Sequence, residues 1–301
     1  DYDAAARGIA LLLARTGRKD DANRFLAEQM SARPNSAELM AAAAEVKSLS
    51  GDSAEAQRLA QRALKLAPDC RSAMLAIARD HYRARKLDLA LYTLQGLLDG
   101  FGPENPPRAK DSSEAWLLRG LIYREQRNRA GAMDQFRKAL ELDATSVDAR
   151  VALGAYLLES GNAAEAATLY EGAARLSAND PLVRLGLGDC YRLLGRVTDA
   201  RQQLDWVAQK RPELAEVQYD LGLLYLFAPQ VPGMTPSQAI EAALAAFHRY
   251  KELKPRGGAS DVDELITRAT TRKAMIEAEK NGSNADAEDA APAQPAAGGG
   301  K

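Results

Sequence analysis

Four glycines, Gly120, Gly154, Gly188 and Gly222, fall at steps of 34 residues inside segments whose apolar periodicity is helical. A glycine within a helix costs about 1 kcal/mol against alanine, so four in register call for a reason. A close crossing between helices that leaves no room for a β-carbon supplies one. In the N-terminal part alanine takes the same place: Ala10, Ala44 and Ala78 are again 34 apart, and the step from Ala78 to Gly120 is 42, one repeat plus eight residues. A second small residue follows twelve positions later at Ala22, Ala56, Ala90, Ala132, Ala166 and Ala200, while Ala243 arrives nine residues late. Four residues beyond each stands Leu26, Ala60, Leu94, Phe136, Tyr170, Leu204 or Phe247. Gly17, Gly51, Gly161 and Gly195 can take the left-handed conformation that closes a helix, and Pro34, Pro68, Pro212 and Pro255 end the units. Each unit therefore reads as helix, tight turn, helix, stop.

One such pair has no surface against which to bury enough apolar area to offset its chain entropy, so the copies must lean on one another in sequence. Composition agrees: 46% apolar and 6% aromatic residues suit an all-helical chain with almost no strand. The 40 Lys and Arg balance 41 Asp and Glu, which leaves no electrostatic footprint for nucleic acid or an anionic membrane. Apolar runs such as Ile9–Ala14 and Leu221–Ala228 fall far short of the roughly 20 residues that span a bilayer.

The run AWLLRGLIY continuing to AMDQFRKALELDA resembles the 34-residue tetratricopeptide repeat, with Trp116, Gly120, Tyr123, Ala132 and Phe136 on the pattern. It departs at Arg119, where leucine is usual, and at Ala144, where proline is usual. The resemblance implies an all-α, right-handed superhelical solenoid of about seven helix-turn-helix repeats with a C-terminal capping helix. The repeats are placed at 3–36, 37–70, 71–104, 113–146, 147–180, 181–214 and 215–257 within an array over 1–257, with a linker at 105–112. A capping helix is expected over 258–280, started by Ser260 or Asp261, striped with Val262, Leu265, Ile266, Ala269 and Ile276, and stopped at Asn281-Gly282. A disordered tail is expected over 281–301. A proline-rich insertion around Pro229–Ser237 lengthens the turn of the last repeat.

If the superhelix forms as in the family, the first helix of each repeat lines a concave groove. Counting three before and one after each conserved small position gives Arg7, Leu11, Ala41 and Glu45 in the first two repeats, and from there on, with additions one turn further, a partner-binding face of Leu75, Arg79, Leu117, Leu121, Arg124, Val151, Ala155, Leu158, Leu185, Asp189, Arg192, Tyr219, Leu223 and Leu226. From the fourth repeat this face is mostly apolar, which suits an amphipathic helix or extended segment of a protein partner. The competing reading packs these leucines between neighbouring first helices. Chaperone-binding family members grip a C-terminal carboxylate with lysine and asparagine at such positions. This chain has leucine, valine or tyrosine there, so a carboxylate clamp is not expected.

No catalytic residues, metal ligands or cofactor are expected. His81 and His248 fall in distant repeats, no phosphate-cradling loop or zinc motif appears, and Cys70 and Cys190 stand 120 residues apart as packed, reduced thiols. The C-terminal stretch, with its long turn, FHRYKEL helix and acidic cap start, resembles bacterial outer-membrane tetratricopeptide lipoproteins of the adventurous gliding motility type. That resemblance implies a periplasmic, outer-membrane-associated scaffold in a motility or pilus-related envelope machine, lipid-anchored on a cysteine ahead of Asp1. A cytoplasmic adaptor or regulatory module is the alternative.

Overall fold

In the computed structural model, residues 2–254, 259 and 261–289 are described, with side chains to Lys280. Their regular structure is entirely helical. Seven helix pairs are followed by one long helix: α1 (Tyr2–Arg15) and α2 (Lys19–Ala32), α3 (Ala37–Leu49) and α4 (Ser53–Leu66), α5 (Arg71–Arg83) and α6 (Leu87–Leu98), α7 (Ser113–Glu125) and α8 (Arg129–Leu142), α9 (Val147–Glu159) and α10 (Ala163–Leu176), α11 (Pro181–Leu193) and α12 (Val197–Lys210), α13 (Ala215–Phe227) and α14 (Pro236–Leu253), then α15 (Val262–Asp289). The chain divides into two compact units, Asp1–Leu153 and Gly154–Lys301. Within each, a helix packs against its hairpin partner, and first helices also lie beside first helices, α1 on α3, α3 on α5 and α5 on α7 in one unit and α11 on α13 in the other.

The register of small residues follows from this packing. A β-carbon built on Gly120 would stand 2.5 Å from Phe136 Cε1, on Gly154 2.8 Å from Tyr170 Cε2, on Gly188 2.7 Å from Leu204 Cδ2, and on Gly222 closest of all to Phe247 Cε1. The large residue of the second helix is thus wedged against the bare backbone of the first. The second small residues, Ala22, Ala90, Ala132, Ala166, Ala200 and Ala243, are fully buried at the same crossing.

The turns show where glycine is needed and where it is not. Gly17, Gly51, Gly161 and Gly195 have φ between 71° and 85°, the left-handed region. The third and fourth repeats place Arg85 and Arg127 there instead, at φ 60° and 59°. Side chains of Ser36, Asp52, Ser112, Asn128, Asn162, Asp180 and Thr235 accept the backbone N–H that the first turn of a helix leaves unpaired.

The two interruptions are built differently. After α6 the chain folds back on itself: the N–H groups of Arg108 and Ala109 both donate to Leu97 O, and Ala109 is buried. Between α13 and α14, Val231 buries into the structure, and Arg201 Nη1 donates to Pro232 O at 3.2 Å. At the C-terminus α15 covers α14 through Val262, Leu265 and Ala269, with Ile266 and Ile276 partly buried beside them. Ser260 lies outside the described residues, and the Asp261 carboxylate accepts from Tyr219 Oη at 2.8 Å. The sequence reading ends this helix at Asn281-Gly282, whereas α15 runs on to Asp289. One internal glycine costs only about 1 kcal/mol, and the alanines and acidic residues that follow tolerate helix. Of the tail reading, residues 290–301 lie outside the described residues.

Candidate functional face

In the first unit the first-helix face is charged and largely satisfies itself. Glu45, 2% exposed, accepts two bonds of 2.7 Å from Arg79 Nη1, and the other arm of Arg79 meets Glu114 at 3.1 Å. Arg7 on α1 reaches the same Glu114 carboxylate on α7 at 3.3 Å, across α3 and α5. Burial works against the Glu114 carboxylate, but Arg79 and Arg7 outweigh it and hold the group below its ordinary range. Burial likewise opposes the charge on Arg79, and Glu45 with Glu114 more than offsets it. Beside this cluster Asp80 is buried, accepting from Ser48 Oγ, Ser53 Oγ and Gln57 Nε2, each at 2.7 Å. Burial would raise its carboxyl, but these three donors pull it below the ordinary value.

The residues expected to meet a partner separate on this geometry. Leu75, at 4% exposure, belongs to the core formed by α5, α6 and α7, so it offers no partner surface. Arg79 is spent on Glu45 and Glu114. Leu117, Leu121, Arg124 and Val151 remain half-buried. Arg119, the departure from the repeat pattern, stacks its guanidinium 4.4 Å from the Trp116 ring centre and donates to Gln135 Oε1 at 2.7 Å, which explains how a cation replaces leucine there.

In the second unit Ala155, Leu158, Leu185, Asp189, Arg192, Tyr219 and Leu223 are all half-buried. Leu226, at 1% exposure, is core and is likewise withdrawn from the face. Tyr219 and Leu223 pack against the cluster joining α13, α14 and α15, the packed alternative that the sequence left open. Arg192 Nε donates to Asp189 Oδ1 at 3.1 Å, so these two groove residues answer each other.

Sequence reasoning missed Asp220, which lies beside this pair. Burial and the Asp189 carboxylate push its carboxyl up to about 8, with Arg192 drawing it the other way. A signal was present. In the 34-residue phase Asp220 matches Gly8, Ala42, Ala76, Leu118, Ala152 and Gly186, uncharged at every other copy and buried apolar in the second to fifth, so a carboxylate there departs from the pattern. Asp80 was missed as well, because its partners Ser48, Ser53 and Gln57 come from the neighbouring repeat.

Cys70 and Cys190 are free and buried, and burial raises both thiols, Cys190 to about 12. His81 is half-buried and His248 exposed. Among the described residues no group of three His, Cys, Asp or Glu is placed to hold a metal ion. No described helix is long and apolar enough to cross a membrane.

Helix pairs stacked in a fixed 34-residue phase, with a row of first-helix side chains as the repeated surface, define a repeat protein of the protein-binding kind. Residues 42–106, 113–146 and 157–222 match the tetratricopeptide repeat, and the chain belongs to that superfamily. The fold matches a chain of the APC/C hetero-tetramer Cut9–Hcn1 with a TM-score of 0.67 at 16% identity, over 86% of this chain and 48% of that one. YrrB, described as a tetratricopeptide repeat protein with an unusual peptide-binding site, matches with a TM-score of 0.53 at 20% identity, over 70% of this chain and 97% of its own. PilF of Pseudomonas aeruginosa matches at 0.53 with 18% identity, over 72% and 95%. Protein O-mannosyl-transferase TMTC1 of Homo sapiens is 24% identical over 195 residues, 65% of this chain and 22% of that protein, and its Mus musculus counterpart is 25% identical over 174 residues. The chain thus spans about a fifth of the length of these curated relatives. The tetratricopeptide fold is in general a non-catalytic scaffold for protein contacts.

Proposed function

We propose that this chain is a non-catalytic scaffold that holds a segment of a partner protein against its first-helix face, chiefly that of residues 154–301. The observation that carries this reading is the contrast between the two faces. In the first unit Arg79, Glu45, Glu114 and Arg7 are consumed by one another, whereas in the second Leu158 and Leu185 stand half-buried on first helices. A half-buried leucine row supplies contact area, and polar groups within it set register. Leu185→Asp places a charge in that row while leaving the clusters around α14 and α15 intact. It is expected to abolish capture of the native partner, with helical content by circular dichroism unchanged; undiminished capture refutes the reading. Leu121→Asp asks the same of the first unit. Leu223 is a poorer target, because it also packs on the core.

The more specific role we propose is as an assembly part of a bacterial envelope machine, related to motility or pili and held at the periplasmic side of the outer membrane by a lipid anchor. What supports it is the resemblance of the last repeat and cap to gliding-motility lipoproteins, and the shared fold with PilF. Fractionation of the native cells with an antibody to this chain tests it, since recovery only in the soluble cytoplasm refutes it.

A further inference from the structure

Two ion pairs within residues 1–153 join helices that are far apart in the stack. The first helices touch in order, α1 on α3, α3 on α5 and α5 on α7. Yet Arg7 Nη2 on α1 lies 3.3 Å from Glu114 on α7, and Arg15 Nη1 on the same helix lies 3.7 Å from Asp148 at the start of α9. The first tie passes over two first helices and the second over three. Such ties form only where the row of first helices curls until α1 faces α7 and α9. Arg7, Leu11 and Arg15 share one face of α1 at spacings of four, and Glu114, Leu117 and Leu121 share one face of α7. The ties therefore run over the inner face to which the half-buried Leu117 and Leu121 belong.

In a stack each unit touches only its neighbours, so small rotations at successive interfaces add up and the ends of a row move most. A tie between those ends opposes the whole sum. The two ties are anchored differently. Glu114 is also held by Arg79 at 3.1 Å, and Arg79 is fixed on the buried Glu45 by two bonds of 2.7 Å, so Arg7 closes on a carboxylate that is already in place. Arg15 and Asp148 are 51% and 70% exposed, which leaves their pairing open to screening by salt. Exposed pairs of this kind shift an equilibrium without locking it. We propose that Arg7 and Arg15 form an ionic clasp with Glu114 and Asp148 that holds the inner face of residues 1–153 shut, and that its release uncovers Leu117 and Leu121. The clasp is an autoinhibitory contact: the first unit withholds its apolar surface until the charges of α1 are drawn away. It goes beyond the scaffold reading, which rests on the second unit.

The test is a distance measured across the first unit of the full chain by double electron–electron resonance, with spin labels on Glu28→Cys in α2 and Asp134→Cys in α8. Both positions are exposed and outside the clasp, and the native Cys70 and Cys190 are buried. Charges interact over about 30 Å at 0.01 M salt and about 3 Å at 1 M. The parent distance should therefore lengthen at 1 M by about 3 Å or more, the width of an interposed water. Arg7→Gln with Arg15→Gln should give the longer distance at both salt concentrations, with helical content by circular dichroism retained. Arg24→Gln with Arg58→Gln removes the same charge from pairs local to α2 and α4, and should behave as the parent. A separate Leu121→Cys chain, alkylated with iodoacetamide and read at that residue by mass spectrometry, should react several-fold faster at 1 M salt or with the two clasp arginines replaced. A clasp variant that keeps the parent distance, a parent distance indifferent to salt, or alkylation at residue 121 that stays constant overturns the inference. Each of these results leaves the scaffold reading of the second unit standing, since that reading is tested at Leu185.

Discussion

Replacing Gly120 and Gly8 by alanine should move stability in opposite directions, although both lie within helices. Helix propensity alone gives each substitution a gain of up to about 1 kcal/mol. Gly8 is exposed on α1 and nothing comes within 4 Å of the added methyl, so Gly8→Ala should realise most of that gain. At Gly120 the methyl would lie 2.5 and 2.6 Å from two ring carbons of Phe136 and 3.2 Å from Gln135 Cβ. Carbon atoms prefer about 3.5–4.0 Å, so an overlap of roughly 1 Å must be relieved. Phe136 is fully buried and cannot swing clear. Overpacking of this kind costs about 1–3 kcal/mol, leaving Gly120→Ala destabilised by up to about 2 kcal/mol after the propensity gain. The twin substitutions should therefore differ by about 1–3 kcal/mol.

Urea unfolding followed by helical ellipticity reads the comparison. A stacked array can open unit by unit, so amide exchange in α7 and α8 should accompany it, showing the loss centred on that hairpin. Adding Phe136→Leu to Gly120→Ala copies the third repeat, where Ala78 and Leu94 are both fully buried, and should recover part of the loss. If Gly120→Ala unfolds at the same or higher urea than the parent, as Gly8→Ala should, the close-crossing explanation of the 34-residue glycine register is wrong.

Other substitutions probe the turns and buried charges. Arg127→Gly relieves a left-handed backbone that costs an ordinary residue about 1–2 kcal/mol, and a rise of the unfolding midpoint equivalent to about 1 kcal/mol is expected; no rise removes the strain argument. Glu45→Ala leaves the Arg79 guanidinium, 12% exposed, with only Glu114, and a loss of about 3 kcal/mol in chemical denaturation is expected; a loss below about 1 kcal/mol counts against a cooperative ionic cluster. Asp80 has a depressed carboxyl in the folded chain, so its contribution is present above the ordinary carboxylate range and is lost as pH falls through its folded value. Asp80→Asn should flatten that acid limb and destabilise at neutral pH. Asp220 has the opposite sign: its folded value is raised to about 8, so its contribution is full below the unfolded value near 4 and drains away as pH rises towards 8. Asp220→Asn should therefore stabilise by about 1–3 kcal/mol at pH 8 and much less at pH 4, and a stability gain independent of pH refutes that assignment.

The fold was legible because its cause is local and repeated. Gly120 and Phe136 are sixteen residues apart in one hairpin, so the sequence holds both halves of the crossing, and the same pair recurs as Gly154 with Tyr170 and Gly188 with Leu204. The face was only partly legible because its determinants lie between hairpins. Leu75 and Leu226 occupy the right phase for a surface, yet they are buried by residues from neighbouring elements that no single repeat specifies. Arg79 reads as a free groove cation until Glu45, 34 residues before it, and Glu114, in the next repeat, are brought together. Asp220 shows how such sites can be found without coordinates. Once the phase is fixed, each column of equivalent positions has a physical demand, and a residue that violates its column at a cost to stability marks a place where packing alone does not explain the sequence. Asp220 is the one charged residue in a column of glycine, alanine and leucine, whereas Arg119 violates a leucine column but is satisfied by Trp116 and Gln135. The difference between a violation that the fold repairs and one that it leaves open separates a structural substitution from a candidate contact.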